Sequence, residues 1–277
     1  ATHADLVALK PLALRHDEAA SMPTVCMTVQ IMLQHAAATP HTRAASERVL
    51  VHASAGGVGS AAMNMLSGLG AHVYATAGSA KKRILARTLH VRDTACSRGT
   101  SFAQTCAALT QGAGVGVVLN SLTSAGMLAA SFSAMATGGR FAEIGKREVW
   151  SHHALSVAER ADVAYTMVAL DFLQPHVISK LCSTLACAAA LATTQPLPST
   201  VQPLGSVRSA MRSMMRAHHT GKLVVGSAAP LGACAGTSAL LVGGMGTLGG
   251  VMAQWMVANT CLYQTLAGRS GHVSSAT

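Results

Sequence analysis

The residues whose types and spacing most clearly suggest a chemical function form a glycine-rich turn, Gly56-Gly57-Val58-Gly59. The turn follows an apolar run at residues 48–52 that is typical of a buried parallel strand, and residues that permit a helix come after it. This order places backbone N–H groups at a helix N-terminus, where they can face a pyrophosphate, and the missing Cβ atoms let the phosphates approach. The spacing predicts a mononucleotide-binding turn, although a glycine motif alone also fits a purely structural turn.

Basic residues follow the second predicted strand, residues 72–76. About 20 residues beyond such a turn, an NAD-binding unit carries an Asp or Glu for the ribose 2′-hydroxyl. This chain has no acid there and carries Ser79, Lys82 and Arg83 instead. Cations and a hydroxyl suit a 2′-phosphate, which a carboxylate would repel, so the pattern predicts NADP(H) over NAD(H). The alternative is that these charges solvate the first turn of a helix, where cations oppose the helix dipole.

Strand and helix patterns alternate along the first two thirds of the chain. Residues 115–119 form an apolar run typical of a central parallel strand, and Asn120, Ser121 and Leu122 follow it. This segment, with the polar groups of Asn120 and Ser121, lies at the edge where open α/β sheets bind ligands. Residues 140–144 predict a further strand, which ends at Gly145 and Lys146. We therefore predict an α/β fold, a doubly wound Rossmann-type parallel sheet with helices on both faces.

A second unit of the same kind follows an Ala/Gly/Pro-rich linker at residues 227–235. It has a predicted strand at 238–242, a glycine turn with Gly243, Gly246 and Gly249, a helix, and a strand at 262–266. We interpret it as an incomplete βαβ unit whose glycines are candidate nucleotide contacts. So few strands cannot bury their faces alone.

Composition narrows the class of protein. Half of the 277 residues are hydrophobic and 11% are charged, which is typical of a globular protein. The net charge of +10 comes from scattered residues with few aromatics, so we expect no nucleic-acid partner. Seven cysteines without a C-x-x-C pair predict a reducing, cytoplasmic environment and no zinc site. The uncharged stretch 223–268 is rich in glycine, and we expect no membrane insertion.

Five motifs occur in a specific order: VLVHASAGGVG at 49–59, ATAGSAKKR at 75–83, VLNSL at 118–122, GRFAEIGKR at 139–147 and HTGK at 219–222. Together they resemble the enoyl reductase domain of type I polyketide synthases and animal-type fatty acid synthases. Residues 236–271 resemble the start of the ketoreductase domain that follows it. The resemblance implies a lead-in from a truncated substrate-binding domain at 1–47, an NADP-binding enoyl reductase domain at 48–226, and the beginning of a ketoreductase at 236–277.

The resemblance also implies an activity, NADPH-dependent reduction of a trans-2-enoyl thioester on an acyl carrier protein. The phosphates would lie over the glycine turn and the nicotinamide near residues 120–122, with Gly145 and Lys146 closing over it. Lys82 falls on the family's proposed proton donor, which competes with a phosphate-binding role. The implied partners are the ketoreductase and dehydratase domains of the synthase and a second copy in a homodimer.

Two departures from the family pattern leave other hypotheses about the function open. The family commonly has an aspartate near residues 97–102, where this chain has none, and the substrate-binding domain that usually precedes this region is absent. A stand-alone quinone or enone reductase of the same superfamily is one alternative. The other is a degenerate module that keeps the fold as a structural part of a synthase.

Overall fold

The computed structural model describes residues 6–36, 47–88, 91–147, 150–151, 154–155, 158–226, 238–242, 246–258 and 263–267. The strands are β1 Arg48–Val51, β2 His72–Ala77, β3 Asp93–Cys96, β4 Val115–Asn120, β5 Met135–Glu143, β6 Ala164–Met167, β7 Ser199–Pro203, β8 Lys222–Gly226, β9 Ser238–Val242 and β10 Tyr263–Ala267. The helices are α1 His16–Ser21, α2 Pro23–His35, α3 Gly57–Gly68, α4 Ala80–Arg87, α5 Phe102–Leu109, α6 Met127–Ser133, α7 Pro175–Ala190, α8 Val207–Met215 and α9 Thr247–Ala258.

The described residues form one six-stranded sheet in the order β3-β2-β1-β4-β5-β6. All five neighbouring pairs in it are parallel. The order reverses between β1 and β4, which is the switch point where doubly wound sheets bind ligands outside the carboxyl ends of their strands. The predicted fold class is confirmed.

Both faces of the sheet are buried, as expected for parallel strands covered by helices. Alternate residues of β1 point to opposite sides: Val49 and Val51 join a core with α2, α3 and α7, while Leu50 joins a second core. The second core contains Phe102 of α5 and Phe132 of α6. This burial on two sides keeps the carboxyl edge of the sheet in a stable position.

The chain divides into two compact units. The first contains Ala1–Val201 with Ser209–Val224, and the second contains Gln202–Arg208 with Val225–Thr277. In the second unit, β9 and β10 pair in parallel, and α9 lies between them in the chain. Large apolar side chains there stay exposed, including Val242 at 85% and Val257 at 61%, because two strands and one helix offer little surface to cover them.

Candidate functional site

The glycine turn connects β1 to α3 at the carboxyl edge of the sheet. Gly56 caps the helix in an extended conformation, with φ −84° and ψ 177°, and the helix begins at Gly57. The N–H groups of the first helical turn have no acceptor within a helix, so they are available to an anion. The predicted strand, turn and helix are therefore present at this position.

The three glycines of this turn have different surroundings. A Cβ on Gly59 would lie 2.5 Å from the backbone oxygen of Ala53, so glycine is needed there for close packing of the helix on the strand. A Cβ on Gly57 would meet Lys222 Cδ at 2.9 Å and Val25 Cγ1 at 3.2 Å. Both positions therefore face protein. The expectation that missing Cβ atoms admit the phosphates does not apply at Gly57 or Gly59.

Val58 is likewise a packing residue, because it is partly buried against the core that contains α2 and α3. Of the four predicted turn residues, Gly56 is the one that lines the cleft described next.

A cavity of about 460 Å³ lies beside this turn, at the ends of β1, β2, β3 and β4. Of the predicted site residues, it contains Gly56, Lys82 and Leu122. Among the described residues that line it there is no Asp or Glu. The lining residues are Ala53, Ala55, Gly56, Ala77, Gly78, Lys82, Ser97, Arg98, Leu122, Ser124, Met127, Ala217 and His219. The cleft is therefore cationic and suited to an anionic ligand.

Lys82 lies in the first turn of α4, directly after β2. Its ammonium group donates a hydrogen bond to the backbone oxygen of Ala217 at 2.7 Å. Burial, and secondly the neighbouring charge of Arg98, lower the pKa of Lys82. The side chain is thus held at the cleft, with its charge balanced by no carboxylate among the described residues that line it.

The two other predicted phosphate ligands make local contacts. The hydroxyl of Ser79 accepts a hydrogen bond from the backbone nitrogen of Lys82 at 3.3 Å and so caps α4. The guanidinium of Arg83 donates to the backbone oxygen of Ala77 at 3.4 Å. Neither side chain is among those that line the cavity.

Arg98 is a residue of the cleft that our sequence reasoning missed. It follows β3, and its guanidinium lies against Gly78, where an added Cβ would be 2.8 Å from Arg98 Nε. The side chain is exposed and lines the cavity next to Lys82. Its position two residues after β3, at the ligand-binding edge, is the sequence signal that identifies it.

At the other end of the cleft, Asn120 shapes the turn after β4. It is buried, with 1% exposed, and its Nδ2 donates to Leu122 O at 3.0 Å and to Glu143 Oε2 at 2.6 Å. Its Oδ1 accepts from Leu122 N at 3.1 Å. Asn120 therefore positions Leu122, which lines the cavity, while Ser121 is half-buried and lies outside the lining.

Glu143, at the end of β5, is a second buried group that our sequence reasoning did not single out. Its carboxyl accepts hydrogen bonds from Asn120 and from the backbone nitrogen of Gly145. Burial raises the pKa of Glu143 to about 7, against the opposing effect of these hydrogen bonds. The carboxyl thus connects the two loops that follow β4 and β5.

Lys146, predicted to close over the cofactor, is directed elsewhere. Its ammonium lies 2.6 Å from Asp171 Oδ2 and 5.5 Å from the centre of the Phe172 ring. Gly145 is buried beside Glu143. Neither residue belongs to the cavity lining.

The loop before β8 forms one wall of the cleft. The backbone nitrogen of Gly221 donates to Ala55 O at 2.8 Å, which ties this loop to the glycine turn. Gly221 has φ +59°, and a Cβ there would overlap Pro198 O, so glycine is required. His219 lines the cavity, and its Nδ1 is buried without a hydrogen-bond partner among the described residues. The side chain of His219 thus forms part of the cleft wall, while its Nδ1 is buried.

Comparison with known proteins identifies the family. Residues 57–181 match the model of the zinc-binding dehydrogenase family. The chain is 36% identical over 284 residues to a highly reducing polyketide synthase of Aspergillus terreus, a match that covers 94% of this chain and 10% of that protein. The chain therefore spans about a tenth of the length of this relative. The CurK enoyl reductase structure is 35% identical, with a TM-score of 0.73, and the match covers 82% of this chain and 67% of that one.

A second structure covers the nucleotide-binding region almost completely. It is the nucleotide-binding subdomain of the enoylreductase domain of PpsC from Mycobacterium tuberculosis, 32% identical with a TM-score of 0.53. The match covers 63% of this chain and 98% of that one. This chain belongs to the enoyl reductase domains of polyketide synthases. The resemblance to enoyl reductase domains, which was inferred from the five ordered motifs, is confirmed.

The name of the matching family raises the question whether this enoyl reductase domain holds a metal ion. The family description mentions zinc, but the described residues contain no group of three or more His, Cys, Asp or Glu side chains that could hold a metal ion, and we assign no zinc site.

None of the helices within the described ranges has both the length and the apolar character needed to span a membrane.

The nucleotide contacts predicted for the second unit of the enoyl reductase chain are only partly described. Gly243 lies outside the described residues, as does the linker at 227–235. Gly246 is exposed in a bend, and Gly249 lies within α9.

Proposed function

We propose that this chain binds NADPH and acts in the reduction of a trans-2-enoyl thioester carried on an acyl carrier protein. The observation that carries the proposal is the cleft beside the glycine turn, in which Lys82 and Arg98 lie together without an acid among the described lining residues. A nicotinamide cofactor with a phosphate on its ribose matches this charge, because a carboxylate at the same position would repel it.

The residues present fit such a cofactor. The helix N-terminus at Gly56 would take the pyrophosphate, and Lys82 would hold the adenosine ribose phosphate. The turn at Leu122, held by Asn120, would lie at the nicotinamide end, two strands away. His219, from the loop before β8, would line one wall of this site.

When bound, NADPH supplies the hydride for the β-carbon of the enoyl group, and a proton completes the reduction at the α-carbon. The roles of the chain's own residues are binding and orientation. Asn120 and Glu143 keep the two loops at the nicotinamide end in place through the 2.6 Å hydrogen bond between them. Proton donation by Lys82, implied by the family resemblance, stays a prediction.

The test is a titration of the folded chain with NADPH and with NADH, followed by nicotinamide fluorescence. We expect saturable binding and a preference for NADPH of about tenfold or more, the size of a charge-assisted hydrogen bond. Single-turnover reduction of a trans-2-enoyl pantetheine thioester then tests the reaction. Comparing affinity and rate in Lys82→Gln separates cofactor binding from proton donation.

Absence of NADPH binding in a sample with native circular dichroism would contradict the proposal and support a structural module. Reduction of free quinones in preference to the thioester would support the stand-alone reductase.

We further infer that residues 236–277 begin a ketoreductase domain and that the partners are other synthase domains. The parallel β9–α9–β10 unit and the match of 94% of the chain to a polyketide synthase support this inference. A homodimer and a cytoplasmic location stay predictions, and analytical ultracentrifugation tests the first.

A further inference from the structure

Two cations share the end of the cleft near β2 and β3. Lys82 and Arg98 are close enough for the charge of Arg98 to depress the pKa of the lysine. Like charges repel, and an anion bound between them would remove that cost. No Asp or Glu occurs among the described residues that line the cavity, so none of those side chains offsets the two charges.

The other basic groups near these strands already have partners. Arg83 donates to Ala77 O, and Arg87 donates to Thr94 Oγ1 at 3.1 Å. Arg92 lies 3.1 Å from His72 Nδ1. Within the described part of the chain, Arg98 makes no hydrogen bond or ion pair, although it lies against Gly78. Its donors are therefore free for a ligand.

Arg98 is brought to this place by the register of the sheet. Ala77 pairs with Cys96, so Gly78, one residue beyond β2, and Arg98, two residues beyond β3, lie at the same edge. The absence of a side chain at Gly78 leaves room for the guanidinium, since a Cβ would approach it to 2.8 Å. A guanidinium offers a planar pair of N–H donors that matches phosphate oxygens.

We propose that Arg98 is a specificity-determining residue, whose guanidinium binds the 2′-phosphate of NADPH together with the ammonium of Lys82. The inference rests on the proposed function and extends it to a residue outside the predicted Ser79-Lys82-Arg83 set. NADH has a neutral hydroxyl at the same position, so it gains nothing from either charge. Arg98 therefore selects between the two cofactors.

The experiment uses Arg98→Gln, with Arg92→Gln as the matched control. Both residues are exposed arginines flanking β3, but Arg92 lies at the opposite end of the strand. Dissociation constants are measured for NADPH, NADH, 2′,5′-ADP and 5′-AMP. In Arg98→Gln we expect NADPH and 2′,5′-ADP to bind about 10- to 100-fold more weakly, while NADH and 5′-AMP change less than about twofold.

Gly78→Ala adds a second line of evidence. The new Cβ must displace the guanidinium, so we expect a smaller loss of affinity for 2′,5′-ADP in the same direction. Arg92→Gln should leave all four constants unchanged.

Two results overturn the role of Arg98. The first is unchanged 2′,5′-ADP affinity in Arg98→Gln when the wild-type chain prefers NADPH, which leaves the proposed function standing. The second is an equal loss for all four ligands, which indicates general support of the cleft. Failure of the wild-type chain to bind NADPH contradicts the proposed function itself.

Discussion

Glu143 gives a prediction about pH and stability that can be worked out from its surroundings. The side chain is 1% exposed, and burial raises its pKa to about 7 from an ordinary value of 4.5. The unfolded chain thus releases this proton near pH 4.5, while the folded chain keeps it until about pH 7. Between these values the folded state binds more protons, so stability falls as pH rises.

The magnitude follows from the separation of the two pKa values. One pKa unit corresponds to about 1.4 kcal/mol, so Glu143 costs about 3 kcal/mol of folding free energy above pH 8 relative to acid. Most of this change, about 2 to 3 kcal/mol, falls between pH 5 and pH 8. The stability attributable to this group is thus present at low pH and lost as the pH passes through about 7.

The variant Glu143→Gln isolates the contribution of this carboxyl to the pH dependence of stability, because glutamine has nearly the same shape and its side chain does not titrate. Its single acceptor oxygen leaves either Asn120 or Gly145 without a partner, at a cost of about 1 to 3 kcal/mol that does not vary with pH. Urea unfolding of both proteins at pH 5 and pH 8 gives the comparison. Other titrating groups cancel in the difference between the two chains.

We expect the wild-type chain to lose about 2 to 3 kcal/mol relative to Glu143→Gln on going from pH 5 to pH 8. A stability difference that stays constant within about 0.5 kcal/mol would refute the reasoning, since it would mean that the carboxyl has similar pKa values folded and unfolded.

Three further predictions concern packing and protonation. Gly59→Ala should lose about 1 to 3 kcal/mol in urea unfolding, because its Cβ meets backbone, whereas Gly57→Ala should lose less because its Cβ meets the ends of side chains. Gly221→Ala should weaken NADPH binding in a fluorescence titration, since its Cβ overlaps Pro198 O and the cleft wall must move. His52 should show no titration between pH 5 and 8 by NMR, because burial lowers its pKa to about 3, and a chemical shift that moves in this range would contradict it.

Much of the sheet could be predicted because its strands are apolar runs between glycine turns. Observed β1 and β4 lie within one residue of the predicted strands 48–52 and 115–119. β5 was predicted at 140–144 but begins at Met135, and its ladder with β4 is irregular between the Val115–Met135 and Val117–Arg140 pairs, where Gly138 has φ +69°. β7 was missed since Pro198 and Pro203 at its ends resemble a loop, and it forms by pairing with β8.

The site could be predicted in part. Spacing after β2 located Lys82, but spacing cannot show where a side chain points, and the structure directs Ser79 and Arg83 to backbone groups. Arg98 comes from a different strand, so its proximity to Gly78 depends on the pairing of β2 with β3. Similarly, the contact between Asn120 and Glu143 depends on the pairing of β4 with β5.

The topology bears on the two roles considered for Lys82. The lysine follows β2 and Leu122 follows β4, which are separated by β1, so their strands are about 10 Å apart. A cofactor that spans this distance has its phosphate at one end and its reacting ring at the other. The lowered pKa of Lys82 alone would favour proton transfer, but a phosphate dianion bound beside this lysine would stabilise its charged ammonium. Cofactor binding at this position would therefore reverse the effect of Arg98 on Lys82, which supports the proposal that this lysine binds phosphate.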